Sequence, residues 1–336
     1  MTQPLAILIL LVAGFSLYLS RRSTQEGGFF HGRSAEGDAP GLITLIFSQV
    51  TTWIFACSLF NAAILGFYYG IWGMLAYVAY YLSFFTGALI IDHLRFRQGH
   101  ASIQAFLHER FGHWGTRCYN LVIGVRLISE VFANLLVIGI LFGVAGSQAY
   151  TLAVLAVSLV TLIYSMLGGL HASLRTDLFQ MLVFLAVLGL LLIFAVGGGH
   201  FSATLLDFKP FAIGDPGPIL LLVALLQVWS YPMHDPVMMD RGFLADRRTT
   251  WRSFIHAGWI STLCILAFGS LGVIAGAALY FTESSGYSAL LGEAHKYTKL
   301  LWISLAVLVI GCLMFQIGSL SARRPRPANS RMEVQP

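Results

Sequence analysis

Residues 48–66 read SQVTTWIFACSLFNAAILG, an apolar run close to the ~20 residues that cross a bilayer as a helix. It carries Ser48, Thr51, Thr52, Ser58 and Asn61. That is more hydroxyl and amide than a lipid anchor needs, because polar groups left unpaired in hydrocarbon are costly. Hydroxyls bonding back to carbonyls one turn earlier bend a helix and account for part of this pattern. A broken helix whose freed carbonyls hold a cation accounts for more of it, since hard cations take oxygen ligands. An interrupted membrane helix is therefore the expectation.

The rest of the chain agrees with a membrane setting. Of 336 residues only 10% are charged, against about 25% in soluble domains, and 57% are apolar before the 34 glycines are counted. No water-soluble globule covers so much apolar surface. The expected fold is an all-α polytopic membrane protein. Nine apolar stretches lie at about 4–20, 41–66, 70–91, 119–145, 149–168, 176–197, 217–236, 253–281 and 300–321. The first lacks a basic leader and is followed by Arg21 and Arg22, so it reads as a retained helix and not a signal peptide.

Arg and Lys set the orientation. One face takes Arg21, Arg22, Arg33, Arg95, Arg97, Arg110, Arg117, Arg175, Arg241, Arg247, Arg248, Arg252 and four arginines after residue 322. The opposite face takes only Lys209, Lys296 and Lys299, and Arg126 lies inside a span. The positive-inside rule puts the N-terminus outside and the C-terminus in the cytoplasm of a cell (inner or plasma) membrane. The net charge of +5 thus reports topology, and no nucleic-acid partner is expected. Cys57, Cys118, Cys264 and Cys312 are far apart and read as buried, inert thiols.

Three further spans carry polar groups at depth, where they usually face a bundle interior or an aqueous path. Residues 218–246, PILLLVALLQVWSYPMHDPVMMDRGFLAD, contain Pro232 and Pro236. Each removes a backbone donor and kinks the helix, with Gln227, His234, Asp235 and Asp240 around the break. The fourth span places Arg126, Glu130 and Asn134 at i, i+4 and i+8, one helical face on which the first two can pair. Residues 168–180, GGLHASLRTDLFQ, put Asp177 just inside a cytoplasmic helix end, where the helix dipole favours an acid. Gly139-x-x-x-Gly143 and Gly272-x-x-x-Gly276 permit close helix approach. SIQAFLHERFG, residues 102–112, is an amphipathic interfacial helix candidate.

Four stretches together resemble the sodium/solute symporter family: FFHGRSAEGDAPGLITLIFSQVTTW (29–53), FLHERFG (106–112), GGLHASLRTDLFQ (168–180) and DRGFLADRR (240–248). The third, similar to the family's "GG..AV..TD..Q", is the most specific. They keep the family's order over residues 29–255. The resemblance implies a LeuT-like core of two inverted five-helix repeats behind one extra helix (1–22). The first repeat is 41–200. The second is 215–322, three helices long and apparently truncated, with a disordered cytoplasmic tail at 323–336. Its broken first and sixth core helices would be the two interrupted spans already singled out.

By the same resemblance, sodium is the coupling ion. It would be held by the Thr51 and Ile54 carbonyls and by an oxygen of the last span, Ser319, with Asp177 on the ion exit path. Ser58, Tyr77, His234 and Asp235 would line the solute pocket. The sequence departs from the family pattern in two ways. Trp53 stands where some members carry an aspartate, and the last span lacks the family's "mST..S" run. The function expected is sodium-coupled symport of a small polar solute by alternating access, with membrane lipid the other partner. The alternative is a non-transporting sensor or partner-binding module, or an inactive gene fragment. No phosphate-binding GxxxxGK[ST] is present and no catalytic constellation beyond His234-Asp235 is legible, so no enzyme is expected.

Overall fold

A computed structural model describes residues 14, 15, 18, 32–34, 37–197 and 212–282. The first and last expected spans, Cys312, Ser319 and the 323–336 tail lie outside the described residues, apart from those three isolated positions in the first span. The described residues contain helices and no strand. In chain order the helices are α1 (Leu42–Trp53), α2 (Ala56–Tyr80), α3 (Ser83–Ile91, extended by a π-helical turn Asp92–Arg97), α4 (Ile103–Phe142), α5 (Gln148–Gly197) and α6 (Pro216–Gln227). A 3-10 turn (Tyr231–His234), α7 (Pro236–Arg241) and α8 (Arg247–Thr282) follow.

Among the described residues, four stretches are long and apolar enough to cross a membrane: Ala56–Arg97, Ile103–Phe142, Gly169–Gly197 and Arg247–Gly276. Several boundaries differ from the sequence expectation. The second apolar run is divided at Ile54 and Phe55, which leave helical geometry between α1 and α2. The run 217–236 is likewise divided, because Pro232 and Pro236 cannot continue the hydrogen-bond ladder. Between the fifth and sixth runs there is no loop. α5 is continuous except at Gly169 (φ 55°, ψ −147°), a conformation nearly closed to residues with a Cβ. The GGLHASLRTD motif is therefore a one-residue hinge followed by the opening turns of the next helical segment.

The segment 102–112, expected at the membrane interface, is helical. Ser102 caps it by accepting from the Ala105 amide at 3.0 Å, and Gly112 (φ 68°) separates it from the long apolar part of α4.

Helix packing follows side-chain size. α8 lies against α2 so closely that a Cβ on Gly272 would strike the Ala63 carbonyl, and one on Gly276 the Phe67 carbonyl. The expected small-residue stripe thus works as a backbone-to-backbone contact. The other stripe divides: Gly139 receives the Tyr150 ring, whereas Gly143 is extended (φ 177°) and ends α4. On α4 and α5 the large apolar side chains Leu121, Val125, Ile128, Phe132, Leu155 and Leu159 point outward, as a lipid-facing surface requires. Cys264 is buried and Cys57 partly so, but Cys118 is exposed. The uniform burial expected of the thiols is corrected there, because Cys118 lies on an outward face of α4 while its neighbour Tyr119 turns inward to the Met233 carbonyl.

At the end carrying the basic loops, side chains tie the elements together. Asp92 accepts from Arg247 at 2.6 and 2.9 Å and from Arg97 at 3.1 Å, which fastens the end of α3 to the start of α8. Arg95 donates to the Gly242 carbonyl at 2.6 Å, closing the turn after α7. The DRGFLADRR run is thus a set of anchors as well as a topology signal.

Candidate functional site

The two breaks adjoin. The Trp53 ring at the end of α1 meets the Tyr231 ring of the 3-10 turn edge-on, with centroids 5.0 Å apart. Tyr80 packs on Tyr231 at 6.2 Å and Tyr81 on Trp53 at 5.5 Å. Trp53 and Tyr81 are almost fully buried.

A broken helix leaves carbonyls without their i+4 donors, and here side chains supply most of the replacements. The Trp53 carbonyl accepts from Ser58 Oγ at 2.9 Å and from Tyr81 Oη at 3.0 Å. The Val228 carbonyl accepts from Thr86 Oγ1 at 2.6 Å, and the Met233 carbonyl from Tyr119 Oη at 2.9 Å. The His234 carbonyl accepts from Arg126. Among the described residues no hydrogen bond ends on the Thr51 or Ile54 carbonyl. The Trp53 indole N–H and the Gln49 amide oxygen are buried without a partner there. These are the polar atoms that a guest at the first break can use.

Each residue expected at the site has a definite place. The Thr51 hydroxyl bonds back to the Phe47 and Ser48 carbonyls at 2.8 and 3.2 Å, so that side chain is satisfied within α1 and leaves only its carbonyl for a ligand. Ser58 faces the Trp53 carbonyl. Tyr77 stacks edge-on with Tyr80 and Tyr81 at 6.0 and 6.1 Å. The His234 ring lies 4.9 Å from that of Tyr231. The Asp235 carboxylate is used twice: one oxygen accepts from the Met238 amide at 3.0 Å, capping α7, and the other from Arg126 at 3.2 Å.

Arg126 is the main surprise. The sequence pairs it with Glu130 one turn away, but that pair stands at 3.9 Å, beyond hydrogen-bond reach. Its guanidinium turns instead to the second break, reaching the His234 carbonyl, Tyr231 Oη at 2.9 Å and Asp235. It also lies 4.9 Å from the centre of the Tyr231 ring. At the other end of the same stripe, Asn134 Oδ1 accepts from the Cys57 amide at 3.2 Å, next to the first break. The stripe Arg126–Glu130–Asn134 was visible as periodicity, but nothing in the sequence says which helices its ends touch.

Asp177 lies nearer the basic end of the bundle. It accepts from Ser48 Oγ at 2.6 Å and pairs with Arg241 at 3.6 Å, and its side chain is 13% exposed. Its sequence neighbour Arg175 is not its partner in either contact. Sequence reasoning missed both Ser48 and Arg241 because they arrive from α1 and α7.

Residues 37–206 match the family model described as Sodium:solute symporter family. No curated protein matches the chain.

Proposed function

The chain belongs to the sodium:solute symporter family, a family of membrane transporters, and on that premise we propose that it carries a small polar solute together with sodium. The carrying observation is the meeting of two interrupted helices through Trp53 and Tyr231, 5.0 Å apart. Broken helices at membrane depth persist where their freed groups face protein or a cavity, and they supply substrate and ion sites in transporters.

In this reading sodium sits against the Thr51 and Ile54 carbonyls, which carry no hydrogen bond among the described residues, with Ser319 of the last span as a further oxygen. A monovalent cation there offsets the cost of two orphan acceptors in a water-poor interior. The Trp53 carbonyl between them is held by Ser58 and Tyr81, which orients the unwound turn before the ion arrives. Tyr77, His234 and Asp235, with Ser58, surround the neighbouring space where the solute binds, and Asp177 marks the ion's way to the cytoplasm. In this reading residues 41–200 and 215–322 are the two inverted repeats, and the breaks after Trp53 and around Pro232 and Pro236 belong to the first and sixth core helices.

Coupling follows if sodium and solute both bind one state better than the other. Ordering the first break positions Trp53, and Trp53 packs on the Tyr231 ring of the second break, so each ligand prepares the surface that the other uses. The test is uptake of radiolabelled small solutes into proteoliposomes holding the full chain. An inward sodium gradient should raise uptake of at least one polar solute, and collapsing the gradient should abolish the increase. Correctly inserted protein that moves no solute under either condition would end this reading.

A further inference from the structure

We propose that Glu130 is the charge-reading carboxylate of the solute site, and that the solute it selects carries a positive charge, as an ammonium or substituted ammonium group. The proposal rests on the symport reading above and names its substrate class.

The geometry is that of a three-residue stripe with two of its members already committed. Arg126, Glu130 and Asn134 follow one another on one face of α4, about 6 Å apart along the axis at 1.5 Å per residue. Arg126 is bound to the second break through the His234 carbonyl, Tyr231 and Asp235. Asn134 is bound to the first break through the Cys57 amide at 3.2 Å, and its own amide group donates back to the Glu130 carbonyl at 2.9 Å. Glu130 stands between them, and therefore between the two breaks. Its carboxylate makes no hydrogen bond among the described residues, and its nearest cation is 3.9 Å away and already engaged by Asp235 at 3.2 Å. The side chain is 28% exposed.

Position makes this costly without a partner. Glu130 lies eleven residues into the apolar run 119–145, about 16 Å at 1.5 Å per residue and so near its middle, where acids usually pair or serve a pathway. Arg126 and Asp235 neutralise each other, so the Glu130 charge is left over. A cation is what the surroundings accept. An unpaired carboxylate at depth, beside an Arg126 that is held by the Tyr231 hydroxyl and Asp235, favours positive charge.

An anionic solute fares worse on the same atoms. It would have to take Arg126 from Asp235 and would then face two uncompensated carboxylates, an arrangement that selects against it. A neutral solute gains nothing from the charge of the Glu130 carboxylate.

The test uses the purified full chain in detergent, with thermal unfolding read for each of four probes: ethanolamine, tetramethylammonium, galactose and lactate. Ethanolamine or tetramethylammonium should raise the midpoint, galactose and lactate should not, and Glu130→Gln should abolish the rise without lowering the ligand-free midpoint, since it removes an unpaired charge at depth. Glu130→Asp should retain part of it. Stabilisation that survives in Glu130→Gln, stabilisation by galactose or lactate instead, or none by either cation overturns the assignment. Sodium-driven uptake of a neutral or anionic solute in proteoliposomes would do the same while leaving the symport reading intact. Cation binding without sodium-driven uptake would spare the assignment and remove symport.

Discussion

Ser48 Oγ donates to Asp177 Oδ2 at 2.6 Å across 129 positions of chain, and Arg241 reaches both, Ser48 at 3.3 Å and Asp177 at 3.6 Å. Three elements, α1, α5 and α7, are locked by one hydroxyl, one carboxylate and one guanidinium. The lock lies on the basic-loop side of both breaks. Separating α1, α5 and α7 from one another on that side would break all three contacts.

Asp177→Asn is expected to leave the buried Arg241 guanidinium without its counter-charge, at a cost of about 3–5 kcal/mol. Ser48→Ala should cost about 1 kcal/mol. Thermal unfolding in detergent measures both, and the Asp177→Asn/Arg241→Gln double variant should recover part of the loss. If Asp177→Asn unfolds at the wild-type temperature, the lock carries no stability.

Ser58→Ala removes one of two donors to the Trp53 carbonyl. A lost hydrogen bond of about 1 kcal/mol corresponds to roughly fivefold in an equilibrium. The sodium concentration giving half-maximal uptake should therefore rise by about that factor. An equal change in solute affinity with sodium affinity untouched would place Ser58 at the solute alone.

Gly272→Ala pushes a methyl group into the Ala63 backbone, where neither helix has a side chain able to move aside. Overpacking of this kind costs about 1–3 kcal/mol. Reduced monodispersity and a lower unfolding midpoint are expected, whereas Gly124→Ala, with open space at its Cβ, should behave as wild type.

Asp246 caps α8 by accepting from the Arg248 and Thr249 amides at 3.0 and 3.1 Å. Those bonds, together with the Thr249 hydroxyl, hold its carboxyl below the ordinary value. A depressed folded-state value means stability that is present above the ordinary carboxylate range, about 4, and lost as the pH falls through the lower one. Asp246→Ala should therefore unfold earlier than wild type at neutral pH, with the difference closing in acid. A gap independent of pH would show that the charge plays no part.

Much of this molecule was legible from its residues alone. Sparse charge and long apolar runs require a bilayer, and the prolines at 232 and 236 prevent one continuous helix through residues 217–241, because those effects are local. Hydroxyl crowding at 48–61 likewise announced an interruption, and the Trp53–Phe55 neighbourhood is where it falls. Contacts between distant segments were not legible. The i, i+4 pair of Arg126 and Glu130 is all that one helix displays, and it stands at 3.9 Å, but the guanidinium also hydrogen-bonds to Asp235, 109 residues away. The sequence shows only that Asp177 stands near a helix start, while its partners Ser48 and Arg241 come from other helices. A long side chain in a low-dielectric bundle goes to the best-placed opposite charge or free carbonyl, and only the packed arrangement of all the helices decides which one that is.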